Sequence, residues 1–313
     1  MTNGNVTTVN EFFFLGFPGL GGLRFLLFFL ILSAYTVTVF LDMMIIILVS
    51  TKQSLHSPMY LFLKNFLFSE MCLVTVIVPN MLPNMLHIIW MDGANVSIPG
   101  CIIQSYLFVS SGTTECYLLT AMSYDRYLAI CKPLHYNTIM GQALQYFLII
   151  FCWMLGFLLT LVTLSFVALL KFCDQHIIDH YFCDLAPFID IACSDTSGLQ
   201  IDIFVLSVPS VAIPFLLTVV SYVCISVAIL KMPSMGSRKK AFSTCSTHLL
   251  VVGMFYGAVL INYFTPVRGH SVAINKLLSV IFTVVTPLFN PIIYSLRNQD
   301  MHAAIFSYVR RQK

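Results

Sequence analysis

Phe25-Leu26-Leu27-Phe28-Phe29-Leu30, followed by Met43-Met44-Ile45-Ile46-Ile47-Leu48-Val49, is the stretch that decides the fold. It fills a window over 24–50 in which Asp42 is the sole interior charge. A helix needs about 20 mostly apolar residues to cross a bilayer, and this window is long enough. Six more windows follow near 58–87, 98–132, 141–168, 199–230, 238–265 and 273–295. The third is the least apolar, because Ser110, Ser111, Thr113, Thr114 and Glu115 occupy its middle. Strands of a membrane barrel alternate in hydrophobicity over roughly 10 residues. The continuous apolar runs here exclude that architecture and predict an all-α bundle of seven transmembrane helices.

The composition agrees. Of 313 residues, 58% are hydrophobic and 9% charged, where a globular domain carries about 25% charged residues. Mean hydropathy is +0.89. The 16 basic and 13 acidic side chains are too few to cover a soluble protein of this size, and disorder is excluded by the same figures. A net charge of +3 without a long Lys/Arg run excludes a nucleic-acid partner. The expected partner surface is the lipid bilayer.

Basic residues orient the chain. Twelve of them, from Lys52 and Lys64 through Arg238-Lys239-Lys240 to Lys313, fall on one alternating set of loops and ends. The other set holds Arg24, Lys171, Arg268 and Lys276. The richer set is the cytoplasmic one, so the N-terminus is expected outside. The first 23 residues hold no Lys or Arg and so lack the basic start of a secretory signal, which leaves the first helix as its own insertion signal. The sequons Asn5-Val6-Thr7 and Asn95-Val96-Ser97 both fall outside, and Asn5, further from the bilayer, is the expected glycan site.

The chain reads as one domain, 1–313, with an outer tail over 1–23, the bundle over 24–295 and a cytoplasmic helix or tail over 296–313. The longest outer loop is 169–198, and the inner link near Lys231 to Ser237 is short. Of ten cysteines, Cys72, Cys116, Cys131, Cys152, Cys224 and Cys245 lie in or at the inner ends of spans and read as reduced. Cys101, Cys173, Cys183 and Cys193 lie on the oxidising side, where three pairings are open.

Ionisable groups within a bilayer are functional candidates. Asp42, Glu70 and Glu115 are the three. If they converge in a dry layer, their mutual repulsion calls for protons or a bound cation, and oxygen ligands suit a sodium-type ion. Asp125-Arg126-Tyr127 ends the third span at the inner surface, where an acid–Arg pair can act as a breakable switch. Asn290-Pro291-Ile292-Ile293-Tyr294 lies near the inner end of the seventh, where proline frees a carbonyl from the helix ladder. Phosphate loops, zinc-protease helices and nucleophile elbows are missing, so an enzyme is not expected. His180-Tyr181-Phe182-Cys183-Asp184 offers soft-metal ligands, provided that Cys183 is not in a disulfide.

Five strings then point to a family. They are Pro58-Met59-Tyr60-Leu61-Phe62-Leu63, Met122-Ser123-Tyr124-Asp125-Arg126-Tyr127-Leu128-Ala129-Ile130-Cys131 and Ser194-Asp195-Thr196. To these are added Lys240-Ala241-Phe242-Ser243-Thr244-Cys245-Ser246-Thr247-His248 and Pro287-Leu288-Phe289-Asn290-Pro291-Ile292-Ile293-Tyr294-Ser295-Leu296-Arg297-Asn298. Over nearly its whole length the chain resembles the vertebrate odorant (olfactory) receptors of the rhodopsin-like G-protein-coupled superfamily.

That resemblance implies Cys101–Cys183 and Cys173–Cys193 disulfides, and a short amphipathic helix after Asn298. It implies an inner activation layer of Arg126, Tyr222, His248 and Tyr294. It places a small-molecule odorant between the third, fifth and sixth helices, on Phe108, Val109, Gly112, Thr113, Ile203, Leu206, Ser207, Tyr256, Val259, Leu260, Tyr263 and Thr283. It further implies a Gs/olfactory-type G protein, cyclic AMP, and a multi-pass place in the plasma membrane of olfactory sensory neuron cilia. A family member outside the nose would sense an internal metabolite by the same fold. The competing reading is an ion-coupled transporter using Asp42, Glu70 and Glu115, although transporter-like repeats are not visible.

Two departures matter. Leu41-Asp42 stands where the family carries Gly-Asn, which adds an acid facing Glu70, and Glu70 itself replaces the commoner Asp. Phe108 stands where receptors for biogenic amines carry an acid. Asp202 near the top of the fifth span could bind a cation, but its position reads first as a solvated loop-end acid. The expected ligand is therefore a neutral volatile with one polar group.

Overall fold

The computed structural model describes residues 11–17, 19, 21–91, 93–173, 176–264, 272–297 and 301–302, with side chains undescribed at 78–91, 240, 244, 262–264, 272–273 and 296–297. Seven long helices follow one another: α1 (Leu23–Thr51), α2 (Pro58–Met91), α3 (Ile98–Cys131), α4 (Gln142–Ala168), α5 (Ser197–Lys231), α6 (Met235–Phe264) and α7 (Val272–Val280, continued through Ile281–Val285 into Thr286–Arg297). The link between α5 and α6 is shorter than expected, since α6 already begins at Met235. All but α3 are long and apolar enough to cross a membrane.

Helix α3 fails that measure because its polar middle faces other helices instead of lipid. Ser110, Ser111, Thr113, Thr114 and Glu115 are all buried. Ser110 and Thr160 share a hydroxyl–hydroxyl bond of 2.7 Å to α4, and Ser69 Oγ on α2 donates to the Ser111 carbonyl at 3.2 Å. A lipid-facing helix has no such partners, so hydropathy marks the outer helices and under-reads the central one.

Helix α4 shows the reverse pattern. Cys152, Gly156, Thr160 and Thr163 are buried, while Phe147, Phe151, Leu158 and Leu161 are exposed. Small residues let membrane helices approach closely. A Cβ added at Gly156 would run into Thr114 Oγ1 and come within 2.9 Å of the Ser110 carbonyl, so α3 and α4 pack on that glycine.

A π turn interrupts α5 at Val208–Ala212. There the Ile213 N–H reaches the Val208 carbonyl. Pro214, next in that shifted register, has no N–H to offer the Pro209 carbonyl. Tyr117 of α3 supplies the missing donor, its hydroxyl reaching Pro209 O at 2.7 Å.

The outer end carries a small sheet that the apolar windows do not predict. Strand β1 (Glu11–Phe14) pairs antiparallel with β2 (Ala94–Ser97) and parallel with β3 (Ile177–Ile178). The ring of Phe13 fills the space where a Cβ of Gly93 would stand, and Gly93 has φ 156°. Phe12 and Phe14 pack with Phe172, Phe188, Cys101 and Cys183. Cys101–Cys183 (Cα–Cα 5.4 Å) ties α3 to the outer loop, and Cys173–Cys193 (Cα–Cα 5.9 Å) closes the loop on itself. Lys276 of α7 pairs with Asp179 and donates to the Gly16 carbonyl at 2.6 Å. Asn5 lies outside the described residues, as does the helix expected after Asn298 apart from helical Met301 and His302.

Candidate ligand cavity and switch layer

A cavity of about 360 Å³ opens among α3, α4, α5 and α6, with Phe282 of α7 also in its lining. Of the residues expected around a ligand, Phe108, Val109, Gly112, Thr113, Ile203, Leu206, Ser207 and Val259 line it. Tyr256 does not: it is buried and packs on Phe215, ring centroids 4.9 Å apart, with Phe255 taking the lining position. Leu260 is 47% exposed on the outer face of α6 and does not reach the cavity. Thr283 is fully buried but turned to the outer loop, where its hydroxyl meets Tyr181 Oη at 3.1 Å. The side chain of Tyr263 lies outside the described residues.

Reading the sequence missed the α4 wall. Leu159, Thr160 and Thr163 all line the cavity. The signal was present as hydroxyls spaced along one face of an otherwise apolar helix. The outer loop forms the roof: Leu185 lines the cavity, and Phe182 packs edge-on against Phe108 with centroids 5.1 Å apart. The Cys183 N–H donates to Gln104 Oε1 at 3.2 Å, seating the loop on α3.

Asp202 departs from its expected setting. It is only 8% exposed and accepts from Thr163 Oγ1 at 2.7 Å, so it is a buried α4–α5 contact and not a solvated loop end.

The soft-metal reading of residues 180–184 fails. Cys183 is in a disulfide. His180 is buried against Tyr181 and Phe182, and burial lowers its pKa to about 4. Asp184 accepts from the Leu185 N–H at 2.7 Å as the cap of the helix Leu185–Ile191, and burial raises its pKa to about 6.

At the inner rim Arg126 Nη2 lies 2.6 Å from Asp125 Oδ2. Tyr136 Oη holds the other carboxylate oxygen at 2.7 Å. Tyr222 Oη meets His248 Nδ1 at 2.6 Å across α5 and α6. Tyr127 packs against the cluster of Tyr222, Ile225 and Cys245. In α7 Pro291 is accommodated within the helix, Asn290 Nδ2 donates to Glu70 Oε1 at 2.5 Å, and the Tyr294 hydroxyl is buried without a partner among the described residues.

Asp42, Glu70 and Glu115 are buried. Both Asp42 oxygens, Glu70 Oε2, Glu115 Oε1 and Asn290 Oδ1 lack donors among the described residues. No three His, Cys, Asp or Glu side chains among the described residues group closely enough to hold a metal ion together.

A helical bundle with a roofed cavity outside and a held Arg–acid pair inside is the architecture of a rhodopsin-like receptor. Squid rhodopsin superposes with a TM-score of 0.71 at 18% identity, covering 94% of this chain and 87% of that one. The olfactory receptor family model matches residues 31–312. Olfactory receptor 11A1 of Homo sapiens is 42% identical over 95% of this chain and 93% of its own. Olfactory receptor-like protein I9 of Rattus norvegicus is 42% identical over 97% and 96%. The chain belongs to the olfactory receptor family. It is a multi-pass membrane protein and a G-protein-coupled signalling receptor, with a small-molecule ligand and a G protein as partners, and it is not an enzyme.

Proposed function

We propose that a small volatile with an apolar body and one polar group binds in the cavity among α3, α4, α5 and α6. Binding activates a Gs/olfactory-type G protein and raises cyclic AMP. The observation that carries this reading is the cavity itself: apolar and aromatic walls with a few hydroxyls, roofed by a disulfide-tied loop. Small-molecule sites in proteins share that composition and a volume of about 300–1,000 Å³.

A ligand shifts a conformational equilibrium only by its differential affinity for the two states. The Tyr222–His248 bond holds the end of α6 against α5, while Asp125, bonded to Tyr136, holds the neighbouring Arg126 on α3. Outward movement of the inner end of α6 breaks the Tyr222–His248 bond and opens a groove for the G protein beside Arg126. Protons or a sodium-type cation at Asp42, Glu70 and Glu115 balance the acid layer next to Asn290 of α7. The N-terminus faces outward, and the plasma membrane of olfactory cilia is the site of action.

An odorant panel in cells reporting cyclic AMP tests this. A response in the wild type that is lost in Arg126→Ala at equal surface level is expected. A ligand-driven ion flux in purified liposomes, without cyclic AMP, would instead establish a transporter.

A further inference from the structure

The hydroxyls that line the cavity among the described residues are those of Thr113, Thr160, Thr163, Ser207 and Ser210. All but Thr113 spend their proton inside the protein. Thr160 Oγ1 donates to the Gly156 carbonyl and shares a second bond with Ser110. Thr163 Oγ1 donates to Asp202 at 2.7 Å. Ser207 Oγ donates to the Phe204 carbonyl at 2.7 Å, and Ser210 Oγ donates to the Leu206 carbonyl. A hydroxyl carries one proton and two lone pairs. With its proton committed, it meets a ligand as an acceptor.

The two serines of α5 hold their protons for a local reason. Serine in a helix turns its hydroxyl back onto a carbonyl three or four residues earlier. Both carbonyls stand just before the π turn at Val208–Ala212, where the helix ladder shifts register. A ligand that only accepts must take a proton from one of these carbonyls and leave it unpaired, which is costly in a dry site. A ligand that donates leaves every internal bond in place.

Thr113 is the exception, since its hydroxyl makes no hydrogen bond among the described residues. It shares one face of α3 with Tyr117 and Thr120, four and seven residues on. Those two reach the Pro209 and Pro214 carbonyls of α5, at 2.7 and 3.0 Å. Thr113, one turn outward, fronts the stretch of α5 that begins before Pro209 and holds Ser207. The remaining polar groups of the lining add little. Cys116 is a weak donor, and Gln200 is exposed with Nε2 already given to Thr196 Oγ1 at 3.0 Å.

We propose that the ligand's polar group is a hydroxyl, and that the receptor selects small alcohols over ketones and ethers of the same skeleton. The ligand's proton goes to Ser207 or Ser210 on α5, and its oxygen accepts from Thr113 on α3. This rests on the cavity being the ligand site. A ketone or an ether finds the Thr113 proton but has none to give to the serines.

The test uses the full-length receptor in cells reporting cyclic AMP, with surface level read by antibody to an outer tag. The probes are secondary alcohols, ketones and methyl ethers that share one alkyl chain, from butyl to octyl. The alcohol is expected to lead both others by about fivefold or more in half-maximal concentration, the effect of one net hydrogen bond. Ser207→Ala combined with Ser210→Ala removes both acceptors and suits a helix. It is expected to bring the alcohol to within about twofold of the ketone, whose own potency stays in place. Thr113→Val keeps the shape and removes the donor. It is expected to weaken alcohol and ketone alike and so to retain the alcohol preference.

A ketone or ether that equals or exceeds the alcohol in the wild type overturns the proposal. So does an alcohol preference that survives the double serine variant. Should that variant fail to reach the surface, each serine is replaced alone, and the wild-type order still decides. A wild type silent to the series but responsive to a broad odorant panel overturns the alcohol assignment and leaves the cavity reading intact. Gly112→Val separates the two readings. Unchanged potency for every probe overturns the cavity reading, whereas a loss shared by all three classes, with no alcohol preference in the wild type, overturns this proposal alone.

Discussion

The hydroxyl of Tyr222 lies 2.6 Å from Nδ1 of His248, and both side chains are buried. This bond joins α5 to α6 beside Cys245, in the inner cluster against which Tyr127 packs. Tyr222→Phe removes the bond and keeps the ring. A buried neutral hydrogen bond is worth about 1 kcal/mol net, which is about fivefold in an equilibrium. Basal cyclic AMP, measured without odorant at matched surface level, is expected to rise by roughly that factor. A fall would mean that the bond belongs to the active arrangement.

Two glycines of the bundle should respond oppositely to added bulk. A Cβ at Gly112 meets nothing within 4 Å, and Gly112 lines the cavity. Gly112→Val is expected to reach the surface normally and to lose roughly tenfold in odorant potency, about 1.4 kcal/mol. At Gly156 the added carbon strikes Thr114 Oγ1 and the Ser110 backbone. Gly156→Val is expected to abolish surface expression, because α3 and α4 can no longer approach. Flow cytometry and concentration–response curves separate the two effects.

The side chain of Lys276 is 5% exposed and its ammonium pairs with Asp179, whose side chain is 41% exposed. Asp179→Asn leaves that ammonium with the Gly16 carbonyl as its remaining described acceptor. Breaking a fully buried pair costs about 3–5 kcal/mol, and solvent on the Asp179 side reduces this to about 1–2 kcal/mol. The purified single mutant should melt a few degrees lower. Lys276→Met added to it should recover most of the loss, since the stranded charge is then gone. Equal destabilisation in the double mutant would locate the effect in packing.

The outer loop carries two groups whose pH dependences oppose each other. His180 falls from an ordinary 6.5 to about 4 through burial, and Asp184 rises from 3.8 to about 6 for the same reason. Between pH 4 and 6.5 the unfolded chain holds the His180 proton that the folded chain lacks, so this group makes stability rise with pH. Between pH 3.8 and 6 the folded chain keeps the Asp184 proton that the unfolded chain has lost, so this group makes stability fall with pH. The two largely offset each other in the wild type. Asp184→Asn, which still caps the Leu185 N–H, should expose the rise. His180→Phe should expose the fall. Melting temperatures of purified receptor between about pH 4 and 6.5 check both slopes.

The helices were legible because lipid imposes a length and an apolarity that few soluble segments share. The expected windows and the observed helices agree to within a turn at nearly every end. Asp125-Arg126-Tyr127 and Asn290-Pro291 were legible as local chemistry, and the structure seats them at the inner rim and beside Glu70. The strand over Glu11–Phe14 was not legible, since four residues of a tail acquire a sheet only through partners at 94–97 and 177–178.

The residues lining the cavity were anticipated on α3 and α5 and, on α6, in Val259 alone of three, while α4 was not anticipated and on α7 Phe282 stands in the lining instead of Thr283. Leu260 and Val259 are neighbours of equal hydrophobicity, yet one faces outward and the other lines the cavity. Thr283 and Thr163 are the same residue type, yet one meets the outer loop and the other lines the cavity.

By itself the sequence determined a membrane bundle and its span count. Each of these depends on composition along the chain, which a window of residues records. Only the tertiary structure decided that Asp202 is buried, that Thr160 and Thr163 form the fourth wall of the cavity, and that the polar middle of α3 is the bundle's interior. The reason is rotational. A window averages all faces of a helix, whereas burial depends on how each helix turns against its neighbours, and that is set by contacts such as Gly156 on Ser110.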